Sequence, residues 1–169
     1  MRVAVVSDTH DNLVNVRKVV EVVKERDPEL IVHLGDIISP FTLQELMKAG
    51  KRVIALYGNN DGERLKLREV AEKGGSEIHE PPLILELGKR RILAIHGWGP
   101  PTRTRALVRS LALSGDYDVV LYGHTHQWHL EKIGKTTVLN PGSAYGLLFS
   151  EPTMAILDLD LLSVEKIKI

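Results

Sequence analysis

Asp8 and His10 stand two residues apart just beyond the apolar run 3–6, and His124 and His126 repeat that spacing just beyond the apolar run 119–122. In an extended chain residues i and i+2 point the same way, so each pair reads as a bidentate grip for a cation. Carboxylate oxygen with imidazole nitrogen is the donor set that borderline divalent transition metals favour. Three more apolar runs end in the same chemistry: Gly35-Asp36, Gly58-Asn59-Asn60-Asp61 and His96-Gly97. There is no cysteine, which excludes disulfides and thiolate metal sites, so a metal must rest on His, Asp, Glu or Asn.

The elements that must position these residues are legible from hydrophobic periodicity. Residues 2–7, 30–34 and 52–57 read as buried strands. Leu13, Val16, Val20 and Val23 mark one face of an intervening helix, with Asp11 or Asn12 as its N-cap. Residues 41–49 and 63–73 read as two more helices. This alternation implies right-handed crossovers and a parallel sheet. The second half changes character: a hairpin over 83–95 turns at Gly88-Lys89-Arg90, and a helix follows over 102–113. A buried strand at 119–122, a hairpin about Gly134-Lys135 and a last strand pair about residues 160–162 complete it. The expected fold is α/β, two facing sheets covered by helices. Ligands of open α/β sheets bind beyond the carboxyl ends of the strands, where all five polar clusters fall.

As a set, in this order, the clusters resemble the calcineurin-like metallophosphoesterase family, and Asn140-Pro141-Gly142-Ser143 resembles its small prokaryotic phosphodiesterase branch. The resemblance runs from Met1 to about Ser143. It implies a four-layer α/β/β/α sandwich of two mixed sheets flanked by helices, with a binuclear metal centre. One ion would take Asp8, His10, Asp36 and His126. The other would take Asp36, Asn59, His96 and His124, with Asp36 bridging. Two divalent ions against two carboxylates leave a positive site that attracts hydroxide and phosphate ester together. The implied activity is hydrolysis of small phosphodiesters by a metal-bound hydroxide. The donor set suits manganese, the expected ion, or nickel, zinc, iron or cobalt, better than magnesium or calcium. The alternatives are a phosphomonoesterase with the same centre, or a non-catalytic protein-binding scaffold such as the retromer subunit that resembles this family.

One departure bears on mechanism. Many family members carry a histidine directly after the metal-binding asparagine, proposed to protonate the leaving group. Asn60 stands there, and an amide cannot supply a proton near neutral pH. Asp36, Asn59 and Asn60 are therefore the candidate catalytic residues. His33 and Asp61 are candidates to support the site. Trp98 could stack on a flat group, and Arg103 could meet phosphate, although packing and a solvated helix face compete with those roles. His79 and His129 read as surface residues, and residues 140–143 as a turn shaping the pocket wall.

At 169 residues the chain has the size of one domain, expected to span 1–169. Lys+Arg and Asp+Glu both total 22, so no global field draws a polyanion, which disfavours long nucleic acid as a partner. No apolar run approaches the ~20 residues of a transmembrane helix. With no signal-peptide pattern, the expected setting is cytoplasmic. A homo-oligomer is compatible with a chain of this kind.

Overall fold

The computed structural model describes residues 1–146 and 151–169. In chain order the elements are β1 (Arg2–Val6), α1 (Leu13–Arg26), β2 (Leu30–His33), α2 (Pro40–Met47), β3 (Arg52–Leu56), α3 (Arg64–Lys73), β4 (Glu77–His79) and β5 (Leu83–Leu87). There follow β6 (Arg90–Ile95), α4 (Pro101–Leu113), β7 (Val119–Tyr122), β8 (Trp128–Ile133), β9 (Thr136–Pro141), β10 (Thr153–Asp158) and β11 (Ser163–Lys168). One sheet has the order β11-β10-β1-β2-β3-β4 and the other β5-β6-β7-β9-β8. Parallel pairing runs from β1 through β4, and from β6 through β7 to β9. Antiparallel strands complete both sheets, which makes them mixed.

The period-2 alternation of each buried strand builds the layers. In β1, Val3 and Val5 join Leu30, Val32, Val119 and Leu121 in the core between the sheets. Ala4 and Val6 face the other way, onto Val16, Val19 and Val23 of α1 and Leu43 of α2. Tyr122, Val120 and Leu93 pack on Val108 and Ala112 of α4 behind the second sheet. Strands covered on both faces are near-continuous apolar runs, as β1, β2 and β7 are. The result is four layers, helices–sheet–sheet–helix, as the resemblance implied.

The valines of α1 are poor helix formers, and four of them are buried, so packing holds that helix more than propensity does. Asn12 caps it, its side chain accepting from Asn15 N at 3.3 Å. Two features differ from the expected elements. The short edge strand β4 is too brief to show a period, and forms because it pairs with β3. Strand β9 runs on through Asn140 and Pro141, so the first half of the expected 140–143 turn is strand.

Candidate metal centre

Asp8, His10, Asp36 and His126 each bring one donor atom into a group whose atoms lie within 4.8 Å of one another. His10 Nε2 is 3.4 Å from Asp36 Oδ2, and His126 Nε2 is 3.3 Å from Asp8 Oδ1. The two imidazole Nε2 atoms are 3.3 Å apart. The same Asp36 Oδ2 lies 3.6 Å from His96 Nε2. Asn59 Oδ1 then meets His96 Nε2 at 3.0 Å and His124 Nδ1 at 2.9 Å. Asp8, His10, Asp36 and His126 thus form one cluster, which His96, Asn59 and His124 adjoin through Asp36 Oδ2.

The paired histidines do not grip as the sequence suggested. Asp8, His10, Asp36, His124 and His126 have φ of +53°, +42°, +58°, +67° and +57°. They stand in left-handed turns past the strand ends rather than in extended chain, and those turns send His126 to Asp8 and His124 to Asn59. Such conformations cost non-glycine residues on the order of 1–3 kcal/mol each, and cluster at functional sites. Hydrogen bonds between loops hold them. Asp8 N donates to Gly35 O and His10 N to Asp36 O, both at 3.0 Å. His124 N donates to Asp8 Oδ2 at 3.0 Å. Asn140 Nδ2 donates to Gly123 O at 2.9 Å, and the Ser143 hydroxyl to Asp8 O at 2.9 Å. Residues 140–143 therefore fasten two of the polar loops together instead of merely walling a pocket.

The donor chemistry fits cations. His96 Nδ1–H donates to Leu34 O at 2.7 Å, and His124 Nε2–H to Gly99 O at 2.7 Å. Their other nitrogens then turn lone pairs towards Asn59 Oδ1, itself an acceptor. Backbone carbonyls holding the outer nitrogen of a histidine are the usual support of a metal-binding imidazole. Apart from His126 Nε2 at 3.3 Å and His10 Nε2 at 3.9 Å, the buried Asp8 Oδ1 meets no hydrogen-bond donor, and it points into the cluster. Burial pushes the Asp8 carboxyl up, but the His126 hydrogen bond, with His96 and Ser7, outweighs it and holds the pKa below the ordinary value. The same hydrogen bond raises His126 against the effect of burial. Burial lowers His10.

The supporting residues have distinct contacts. Asp61 Oδ2 accepts from Asp36 N at 3.0 Å and Gly58 N at 2.6 Å, and its Oδ1 from Ile38 N at 2.7 Å. It ties two polar loops to each other. Asn60 donates to Asp36 twice, from N to Oδ1 at 2.9 Å and from Nδ2 to Oδ2 at 2.8 Å. Trp98 is exposed at the rim, and Arg103 lies over its ring at 5.1 Å, beside Gly99, whose carbonyl bonds His124. His129 is half-buried on β8 and bonded to Tyr122 Oη at 2.7 Å, contrary to its surface reading. His79 pairs with Glu77 on β4.

Sequence reasoning missed Arg64. It lines a cleft of about 440 Å³ with Asn59, His96, Trp98 and His124. Its guanidinium stacks 4.8 Å over Tyr57 and pairs with Glu80 at 2.6 Å. In the sequence it is one charge of a charged helix, and only its place at the start of α3, just after Asp61, hinted otherwise.

Gly58 makes the approach of Asp36 possible. A Cβ there would fall on Asp36 Oδ1 and on Asp36 N. Gly58→Ala is expected to cost about 1–3 kcal/mol through overpacking. It should also weaken metal binding, because relief of the clash moves the carboxylate. Thermal melts and a metal titration read the two effects; an unchanged melting temperature would show that the loop absorbs the methyl group.

His33 is fully buried at the end of β2. Its Nδ1 accepts from Gly35 N at 3.2 Å, so Nε2 carries the proton and donates to Thr9 Oγ1 at 3.1 Å. Thr9 Oγ1 in turn donates to Asp36 O at 3.3 Å. Burial lowers its pKa from 6.5 to about 4, and protonated Nδ1 would face a backbone N–H. The unfolded chain therefore takes up this proton first, and stability of the metal-free protein falls as pH drops from 6.5 towards 4. The whole interval amounts to on the order of 3 kcal/mol at 1.36 kcal/mol per unit. Urea unfolding of wild type beside His33→Gln isolates this slope; parallel stability curves would rule it out.

Left-handed loops at the carboxyl ends of two mixed sheets, converging on Asp and His donors, define a metallophosphoesterase-type site. A family model for the calcineurin-like phosphoesterase superfamily domain matches residues 1–161, and the chain belongs to that family. It is similar to the phosphodiesterase MJ0936 of Methanocaldococcus jannaschii, 37% identical over 159 residues, covering 94% of this chain and 93% of that one. A solved archaeal phosphodiesterase superposes with a TM-score of 0.91 at 35% identity, covering 100% of both chains. Vps29 of Chaetomium thermophilum shares the fold, with a TM-score of 0.74 at 17% identity over 99% of this chain and 93% of that one. Among the described residues no helix is long and apolar enough to cross a membrane.

Proposed function

We propose that this chain, as one domain, is a metal-dependent phosphodiesterase acting on small diesters at a two-ion centre. One half-set is Asp8, His10, Asp36 and His126, the other Asp36, Asn59, His96 and His124, with Asp36 common to both. The observation that carries this reading is the convergence of Asn59 Oδ1 with two imidazole nitrogens whose outer partners are backbone carbonyls. Two imidazole nitrogens and an amide oxygen converging at 2.9–3.0 Å form a donor set that one shared cation would satisfy.

Bound divalent ions would supply positive charge against the phosphate and acidity to a water molecule. Manganese is the ion proposed first, with nickel, zinc, iron and cobalt also suited to the donors. The chain's own residues do the rest. Asn60 clamps both oxygens of Asp36, and Asp61 holds the loops that carry Asp36 and Asn59. Arg64, fixed by Glu80 and Tyr57, places one cationic side chain on the wall of the cleft. A cleft of about 440 Å³ suits a small ligand, and its one arginine is poorly matched to a long polyanion. A scaffold is free to lose its ligating side chains, whereas here every one of the seven positions keeps a competent donor.

Metal-stripped protein, re-supplied with manganese, nickel, zinc or magnesium, is expected to hydrolyse bis(p-nitrophenyl) phosphate faster than p-nitrophenyl phosphate. It should be inactive without metal. Preference for the monoester would move the reading to a phosphomonoesterase. Absence of turnover in protein shown to hold two ions would favour the scaffold.

A further inference from the structure

We propose that the apolar groove beside the cleft seats a flat, aromatic arm of the phosphoester, so that the substrate class is aryl phosphodiesters. This rests on the phosphodiesterase reading. The groove, about 430 Å³, runs between β5 and β6 on one side and α4 on the other. Ile84, Leu93, Ile95, Leu107, Leu111 and Tyr117 form its length, and no charged residue lines it among the described residues.

It is continuous with the metal-side cleft, because Pro81, His96, Gly97 and Trp98 line both. A phosphate held at His96 and Asn59 therefore has the groove as its immediate neighbour. Trp98 stands where the two cavities meet. The Thr104 hydroxyl accepts from Trp98 N at 3.0 Å and donates to Trp98 O at 2.8 Å, which pins its backbone. Arg103 braces one face of the ring. Trp98, Ile84 and Leu107 are 57%, 46% and 38% exposed, a cost that a solvent-facing wall does not require.

The chemistry at Asn60 points the same way. With an amide at Asn60, and His10 and His96 beside Asp36 given over to metal in this reading, cleavage favours the P–O bond that releases an oxygen stable as an anion. A phenolic arm is such a leaving group and an alkoxide is not. An apolar trough next to the phosphate is where a phenolic ring would lie.

The test is a calorimetric titration of manganese-loaded protein with methylphosphonate, phenylphosphonate and 2-naphthylphosphonate. Each is non-hydrolysable and carries a single arm. The dissociation constant is expected to fall about tenfold or more from methyl to naphthyl, as apolar area leaves water. Leu107→Glu and Ile84→Glu, at half-exposed positions, should flatten the series. Leu161→Glu, on the exposed β10–β11 turn, should keep it. A flat series in the wild type, or one that persists in Leu107→Glu, overturns the proposal. So does sedimentation showing the groove closed in a dimer that Leu107→Glu dissolves. Turnover of bis(p-nitrophenyl) phosphate in the same preparation separates the two failures. Turnover with a flat series removes only the aryl subsite, whereas no turnover and no phosphonate binding remove the phosphodiesterase reading as well.

Discussion

Asp36→Asn is expected to eliminate phosphodiester hydrolysis and to release at least one equivalent of metal. The Asp36 carboxylate is common to the two proposed half-sets, 3.4 Å from His10 Nε2 and 3.6 Å from His96 Nε2, and is almost fully buried. Asparagine keeps its shape but removes the charge that both ions would share. It also turns an N–H₂ group towards Asn60 N or Nδ2, where two donors cannot bond. Loss of a metal's charge stabilisation is worth several kcal/mol in the transition state. At 1.36 kcal/mol per decade the rate should drop on the order of 10³-fold or more. Folding should survive, because the substitution removes a buried charge and leaves the Asp61 bonds to Asp36 N and Ile38 N in place. Elemental analysis after desalting, turnover of bis(p-nitrophenyl) phosphate and circular dichroism measure the three parts. Two retained ions with undiminished turnover would place the shared ligand elsewhere.

The second large effect concerns the leaving group. Diesters that expel phenoxides are expected to be cleaved at least about 10²-fold faster than those that expel alkoxides, since positioned acid catalysis is worth 10²–10⁴-fold and Asn60 cannot provide it. Asn60→His should raise the alkyl-to-aryl rate ratio by about tenfold or more. The absolute aryl rate should fall meanwhile, because the variant gives up the Nδ2–H bond to Asp36 Oδ2. Removing a residue that orients a metal ligand typically costs 10–100-fold. Asn60→Ala separates the two roles: it loses the clamp and gains no acid, so both rates should fall together with the ratio unchanged. A leaving-group series plotted as log rate against leaving-group pKa gives the answer. A slope near zero in the wild type would mean that another group delivers the proton.

The order and identity of the polar strand ends were legible because they are local. Asp8, Asp36, Asn59, His96 and His124 each follow an apolar strand, and a strand must stop where its burial stops. Hydrophobic periodicity likewise showed the parallel strands and the helices between them. His33 and Asp61 could be marked as neighbours of ligands, but not given their partners. His33 reaches Thr9, and Asp61 reaches Asp36 N, across 24 and 25 residues respectively.

Strand-end spacing alone does not say how the donors group; the family resemblance separated His124 from His126, and the tertiary structure shows the turns that part them. His124 and His126 look like one grip in the sequence, and their left-handed φ values send one to Asn59 and the other to Asp8. Those angles hold only because loops from different strands bond to each other: His124 N to Asp8 Oδ2 spans 116 residues, and Ser143 to Asp8 O spans 135. Arg64 at the cleft and the groove under α4 belong to the same category, since they exist only where separate elements pack side by side. The sequence by itself determined which side chains can carry charge and bind metal, through composition and strand-end spacing. Which atoms meet was decided by the stacking of two twisted sheets, because strained turns persist only when surrounding packing and hydrogen bonds hold them.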